Sequence, residues 1–297
     1  MTILDVKQVC VVGAGTMGRQ IALNTALHGV AVALYDVDRA ALDDATRWVA
    51  TYLEDRVQRG RLERAAATNA LALLRSTANL SEAVGGADLV IEAATESLDL
   101  KRRIFGDLDR VAKPTAILAS NSSTIVSSKL ADATTRPEKV ANLHYFNPAL
   151  VMQVVEVVQG PHTDDSTAQT LLAFARQTGK TPIYLKKEIF GFVANRLLNA
   201  LTREAISLVE GGYATPEEVD LASEKALGHP MGPFRLMDLI GLDVLDLMWR
   251  QEYTETGRAE DRPPALLRER VSRGDLGRKT GRGWYDYAEA QVEKREA

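Results

Sequence analysis

The 297-residue chain is poor in several things, and each shortage removes a class of protein. It has one cysteine, so no internal disulfide can form, which agrees with a reducing, cytoplasmic location. That residue, Cys10, lies in an apolar strand-like run and reads as plain core. No apolar run approaches the ~20 residues that a membrane span needs, and no charged segment followed by a hydrophobic one opens the chain. Neither a membrane helix nor a secretory leader is therefore expected. Positive charge is not in excess: 36 Lys and Arg stand against 40 Asp and Glu, a net charge of −4. Without a basic field, nucleic acid is not expected as a partner. No metal site is expected either. The remaining composition, 45% apolar and 26% charged, is that of a soluble globular protein long enough for one large or two ordinary domains.

What is present begins with a β-rich run at residues 7–12, followed at once by Gly13-Ala14-Gly15-Thr16-Met17-Gly18. A helical stretch comes next, then a second apolar run that ends in Asp36. Strand, G-x-G-x-x-G, helix, strand and acid together form a dinucleotide-binding βαβ unit, whereas the glycines alone would say little. Gly13 allows the tight turn, Gly15 lets the backbone approach a pyrophosphate, and Gly18 lets the helix pack on the sheet. The helix N-terminus faces the anion. Asp36 would accept bonds from the adenosine ribose hydroxyls and repel a 2′-phosphate, so NAD is expected rather than NADP, with Arg39 close by.

Between Asp38 and Ser76 there is no strand-like run. The pattern predicts two helices, residues 39–59 and 62–74, broken at Gly60 and lined by Arg56, Arg59, Arg61 and Arg64. Two uses are open for this hairpin: contact with an acidic, nucleotide-tailed ligand, or a solvated arginine-rich surface. Strands then resume at residues 87–93, 115–119, 139–144 and 181–185. Open α/β sheets bind ligands at the carboxyl ends of their strands, where Glu96, Ser123 and His144 can share one crevice. Of Ser122 and Ser123, at least one is expected to serve as a helix N-cap.

Residues 142–158 hold the oddest choice in the chain, Glu156 inside Val154-Val155-Glu156-Val157-Val158. Burying an ionised carboxylate costs several kcal/mol unless a partner compensates it. If the two apolar runs on either side of Asn147-Pro148 are neighbouring strands, His144 supplies that partner and becomes a general base. From about Lys187 onward the pattern is helical only: residues 190–210, a capping box at Thr215-Pro216-Glu217-Glu218, and residues 236–249. The expected fold is thus an α/β Rossmann-type, mostly parallel sheet with an inserted helical hairpin (1–186), followed by an all-α C-terminal domain (187–297) that serves substrate binding and dimerisation. Asn195 interrupts the apolar stripe of the first of those helices and needs exposure or a partner.

At these motifs the chain resembles the NAD-dependent L-3-hydroxyacyl-CoA dehydrogenases, including 3-hydroxybutyryl-CoA dehydrogenases. The match runs over nearly the full length through GAGTMG, IEAATESLDLK, ASNSS, HYFNPALVMQVVEV, GFVANRLL, HPMGPF and GRKTGRGWY, in that order. The resemblance implies hydride transfer from C3 of an acyl-CoA substrate to NAD, in a homodimer. It implies His144 as catalytic base, Glu156 as its orienting carboxylate, and Ser123 and Asn195 as hydrogen-bonding partners of the reacting oxygen and the histidine region. Gly13, Gly15, Thr16, Met17, Gly18 and Asp36 would form the NAD site, with Glu96, Lys101, Ser123, Asn147 and Lys279 as further cofactor contacts. Three departures stand out: Trp284 where Phe is more common, Thr124 where Leu is common, and an arginine-rich hairpin onto which no CoA contact transfers. A related branch resembling lambda-crystallin and L-gulonate 3-dehydrogenase acts on sugar acids without CoA, and residues 146–152 resemble the acyl-CoA branch more closely. The β-hydroxyacid dehydrogenases use a helix lysine as base, and a non-enzymatic NAD-sensing Rossmann protein would have no need of both His144 and Glu156.

Overall fold

The computed structural model describes residues 5–287 and divides into two compact units, the first ending at Phe192 and the second starting at Val193. In the first unit the elements follow as β1 (Gln8–Val12), α1 (Thr16–Leu27), β2 (Ala31–Tyr35), α2 (Arg39–Gln58), α3 (Arg64–Leu73), β3 (Leu74–Thr77), α4 (Leu80–Val84) and β4 (Leu89–Glu92). They continue as α5 (Leu98–Val111), β5 (Ile117–Ser120), α6 (Ser128–Ala131), β6 (Val140–Tyr145), β7 (Val154–Val158), α7 (Asp165–Gln177) and β8 (Thr181–Leu185). The eight strands form one sheet in the order β3-β2-β1-β4-β5-β6-β7-β8. All neighbours are parallel except β6 and β7.

The central strands are buried on both faces, and their period of two divides the core. Val9 and Val11 of β1 pack with Ile21 and Leu23 of α1 on one side, while Cys10 and Val12 pack with Phe105 and Leu108 of α5 on the other. Burying a side chain of this size stabilises the fold by about 1.5–3 kcal/mol. Cys10 is core, and burial pushes its thiol up to about 12.

Two boundaries differ from the sequence pattern. Leu74–Thr77 is a strand, although no strand was expected before Ser76. The run Leu-Arg-Ser-Thr carries no apolar alternation because it is an edge strand, held by main-chain pairing to β2 and half exposed. The first unit also extends past residue 186, to Phe192. Leu185 and Phe192 pack against Val158, and Glu188 accepts from the Ser128 N–H at 3.2 Å, so this segment belongs to the sheet.

The helical hairpin is formed by α2 and α3. Arg59 pairs with Asp55 at 2.6 Å, Arg64 pairs with Glu54, and Arg56 donates to the Tyr52 hydroxyl. Arg19 stacks on Trp48, Trp48 on Tyr52, and Arg56 on Tyr52. These guanidiniums are engaged locally, which favours the solvated-surface use of the hairpin over an open anion site.

The second unit comprises α8 (Ala194–Glu210), α9 (Pro216–Lys225), α10 (Pro233–Ile240), α11 (Leu242–Thr256) and α12 (Ala265–Arg273) around Phe234, Met237, Leu245, Trp249 and Leu267. The capping box of α9 forms as expected, Thr215 and Glu218 each accepting the other's backbone N–H. The stretch predicted as one helix over 236–249 is two, because Gly241 turns the chain at φ 106°. Asp238 ties the closing segment down, accepting from the N–H groups of Trp284 and Tyr285 and from the Tyr287 hydroxyl. Trp284 packs edge-on against Phe234 at 4.6 Å, so the larger ring is accommodated. Among the described residues its Nε1 has no hydrogen-bond partner, a desolvation cost that Phe would not carry. Among the described residues no helix is long and apolar enough to cross a membrane, and no cluster of ligands could hold a metal.

One cap makes a test of the sheet unit. Asp164 begins α7, accepting from the Thr167 N–H and the Ser166 hydroxyl, and Lys139 pairs with it at 3.0 Å. Burial alone would raise its carboxyl, but these bonds outweigh it and bring the pKa down from 3.8 to about 2. A carboxyl depressed by folding contributes stability that is complete above its unfolded value and lost as pH falls through its folded one. Asp164→Ala is expected to lower stability by ~1 kcal/mol at neutral pH in urea unfolding. The gap between variant and wild type should close as the pH approaches 2; a gap that stays constant from pH 6 to pH 2 would contradict this role.

Candidate active site

The antiparallel junction of β6 and β7 places His144 directly opposite Glu156. The Glu156 carboxylate accepts from His144 Nδ1 at 2.8 Å, with the two side chains 3% and 0% exposed. An ionised carboxylate only accepts, so Nδ1 carries the proton and Nε2 of the neutral ring presents its lone pair. Nε2 lies 2.8 Å from the Ser123 hydroxyl. Phe146 meets the imidazole edge-on at 4.6 Å, and Phe192 lies 5.5 Å from it. Phe192 is held at φ 49°, a backbone region that side chains other than glycine rarely occupy. Its packing on Val158 and Leu185 holds it there. Sequence reading missed both rings, although Phe146 lies within the histidine motif and Phe192 in GFVANRLL.

The loop after β5 divides the labour of its two serines. Ser122 Oγ accepts from the Ile125 N–H at 2.8 Å and donates to Glu96, so it ties a turn; neither serine is the expected helix N-cap, because the next helix, α6, has Ser127 at that position. Ser123 is thereby left for His144. Glu96 also accepts from the Thr124 hydroxyl at 2.7 Å. That bond gives Thr124 a purpose that Leu could not serve. Burial works to raise the Glu96 carboxyl, but the Lys101 ammonium and the bonds from Ser122 and Thr124 outweigh it and hold it below the usual range. Lys101 is 1% exposed, 2.6 Å from Glu92 and 3.3 Å from Glu96. Ser123 and His144 meet directly, while Glu96 bonds the residues on either side of Ser123.

The glycine turn fits a dinucleotide. A Cβ on Gly18 would lie 1.7 Å from the Gly13 carbonyl oxygen, so only glycine allows α1 to sit this close to β1. A Cβ on Gly15 would meet nothing within 4 Å; the space above it is open. Helix α1 has no side-chain cap, which leaves its first N–H groups available to an anion. Asp36 accepts from the N–H groups of Ala14 and Asp38, fixing its carboxylate after β2. A cavity of about 560 Å³ runs beside it, lined by Gly13, Gly15, Asp36, Ala94, Leu100 and Arg103 among others. Asn147 is exposed and accepts from Gln20 of α1 at 3.4 Å.

Asn195 and Lys279 belong to the second unit. Helix α8 begins at Ala194 rather than near 190, so Asn195 occupies its first turn, where an Asn side chain is well tolerated. It does not interrupt a helix interior. Lys279 pairs with Asp243 at 2.6 Å.

A glycine turn that leaves room for a pyrophosphate, in the same sheet as a histidine able to take a proton, marks a nicotinamide-dependent dehydrogenase. Comparison with known proteins narrows that class. The family model described as "3-hydroxyacyl-CoA dehydrogenase, NAD binding domain" matches residues 8–189, and "3-hydroxyacyl-CoA dehydrogenase, C-terminal domain" matches residues 191–287. A 3-hydroxybutyryl-CoA dehydrogenase of Mycobacterium tuberculosis is 40% identical over 95% of this chain and 99% of its own length. A probable 3-hydroxybutyryl-CoA dehydrogenase of Bacillus subtilis is 37% identical over 96% and 99%. The crystal structure of (S)-3-hydroxybutyryl-CoA dehydrogenase from Ralstonia eutropha superposes with a TM-score of 0.90 at 39% identity, covering 95% of this chain and 99% of that one. The chain belongs to the 3-hydroxyacyl-CoA dehydrogenase family and is an NAD-dependent enzyme.

The two glycines separate fold from binding. Gly18→Ala forces α1 off the turn and is expected to cost about 1–3 kcal/mol in thermal unfolding as well as NADH binding. Gly15→Ala, with open space around its Cβ, should unfold like wild type yet bind NADH more weakly by fluorescence titration. Wild-type NADH affinity in Gly15→Ala would show that the pyrophosphate lies elsewhere.

Proposed function

We propose that the chain interconverts L-3-hydroxyacyl-CoA and 3-ketoacyl-CoA esters, 3-hydroxybutyryl-CoA among them, with His144 as general base and Glu156 as its orienting carboxylate. The observation that carries the proposal is the buried 2.8 Å contact of Glu156 with His144 Nδ1, which leaves Nε2 as the proton acceptor. His144 Nε2 takes the proton of the substrate 3-hydroxyl, and the cationic ring this creates is stabilised by the carboxylate already in place. The Ser123 hydroxyl, now on Nε2, is positioned to bond the reacting oxygen. NAD, held at the glycine turn, would supply the acceptor for the C3 hydride. In the reverse direction protonated His144 polarises the ketone and returns the proton. Asn195 is a further partner of the reacting oxygen, on the strength of the resemblance.

Gly13, Gly15, Thr16, Met17, Gly18 and Asp36 hold the dinucleotide, and Asp36 selects NAD by repelling a 2′-phosphate. Asn147, Ser123, Glu96 and Lys279 are proposed as further contacts. Lys101, being buried, acts on the cofactor site through Glu96. The enzyme is proposed to be cytoplasmic, without nucleic-acid or membrane partners. Leu197, Leu221, Leu227, Leu239 and Leu247 of the helical unit are each more than half exposed, which supports a homodimer built on that unit. Leu247→Glu should then shift the sedimentation velocity toward a monomer; an unshifted dimer would place the interface elsewhere.

Purified enzyme should oxidise NADH with acetoacetyl-CoA, and free acetoacetate or gulonate-type acids should not substitute. Turnover of gulonate without turnover of acyl-CoA would establish the sugar-acid alternative instead. His144→Ala and Glu156→Gln should each lower kcat by ~10²-fold or more while NADH still binds. A Glu156→Gln enzyme at the wild-type rate would leave the carboxylate a structural role only.

A further inference from the structure

A second carboxylate is buried in the same sheet, outside the histidine pair. Glu92 is the last residue of β4 and is 0% exposed. One of its oxygens accepts from Lys101 Nζ at 2.6 Å and from the Ala94 N–H at 2.7 Å. The other accepts from the Ser120 hydroxyl at 2.7 Å. Ser120 ends β5 as the sheet neighbour of Glu92, and its oxygen in turn accepts from the Ser122 N–H at 3.2 Å. Lys101, clamped by Glu92, also reaches Glu96, which receives the hydroxyls of Ser122 and Thr124. Ser123 is the residue between those two.

Two routes from Glu92 therefore end on neighbours of Ser123. Through Ser120 it holds the backbone of Ser122; through Lys101 it holds Glu96, and through Glu96 the side chains on both flanks. We infer that Glu92 is a positioning residue for the reaction: it fixes the loop after β5 so that the Ser123 hydroxyl stays in line with His144 Nε2 and the reacting oxygen. Stability alone does not account for the arrangement. A buried ion pair is matched or exceeded in stability by apolar side chains of similar volume, and Glu92 sits among strands otherwise built of Leu, Val and Ile. An apolar residue there would fill the space but would leave the Ser120 hydroxyl and the Ala94 N–H without this acceptor, and would leave Lys101 to Glu96 and the Ala94 carbonyl. Ion pairing retained at that cost is used for geometry. The inference rests on the assignment of Ser123 and His144 to the reacting centre, and it gives Lys101 a role as the link between Glu92 and Glu96.

The test is a double-mutant cycle on the full-length enzyme, with rates normalised to sites titrated by NADH. Glu92→Gln preserves shape but removes the charge that holds Lys101, and it should lower kcat by roughly 10- to 100-fold with NADH affinity changed far less. Ser123→Ala removes the group being positioned. If Glu92 acts through Ser123, the double variant should be no slower than Ser123→Ala alone. A purely structural Glu92 would lower the melting temperature and the titrated fraction but leave kcat per site unchanged, which would overturn the inference. Multiplicative losses in the double variant would overturn it too, while leaving Ser123 in its role. A Ser123→Ala enzyme at the wild-type rate would remove both. Should Glu92→Gln not fold, Ser120→Ala breaks the Glu92–Ser122 link with the ion pair intact, and the same cycle with Ser123→Ala decides by the same outcomes.

Discussion

The bond between Glu156 and His144 depends on one reversal in an otherwise parallel sheet. Because β7 runs antiparallel to β6, the middle of β7 lies beside the end of β6. A carboxylate can then be buried in the sheet and still reach a histidine at the ligand edge. The same reversal explains the valines around Glu156. They exclude water from the carboxylate, which strengthens its hold on the imidazole.

Around that pair the groups proposed to react are distinct from the groups that hold them. His144 and Ser123 present polar atoms to the crevice, and each is oriented by a neighbour that is more deeply buried. Glu156 orients the ring. Ser122 ties the turn so that Ser123 does not have to, and Glu96 anchors both residues that flank it. The glycine turn follows a similar logic in backbone form. Gly18 is required by the closeness of α1 to Gly13, whereas Gly15 is required by nothing in the protein itself. Under the proposed cofactor site, its need for a small residue comes from the dinucleotide.

Much of this was legible in the residues, because the decisive signals were local. The glycine fingerprint, the apolar strands and the capping box of α9 each follow from a few adjacent side chains. Even the His144–Glu156 pairing was reachable, since a carboxylate among four valines demands a partner. The failures have two causes. Leu74–Thr77 is a strand by virtue of its neighbour β2, and its own residues carry no sign of it. Gly241 breaks one apolar stripe into two helices without interrupting its hydrophobic pattern. The start of α8, and with it the setting of Asn195, is fixed by Phe192 packing back onto the sheet. At β3 and Phe192 a contact distant in sequence overrode the local reading, and at Gly241 a backbone turn did.

Two buried carboxylates in one small sheet invite comparison, since both cost the desolvation of a charge. Glu156 recovers that cost at a titratable ring, so its interaction strengthens when the ring gains a proton and it can contribute to the barrier. Glu92 recovers it at an ammonium, a main-chain N–H and a hydroxyl whose charges do not change during the reaction. Its interaction is therefore equal in ground state and transition state, and it can affect the rate only through geometry. Sequence reading found the first because its partner lies twelve positions away across a turn. It passed over the second because its ties to Lys101 and Ser120 become a network only when β4, β5 and α5 are brought together.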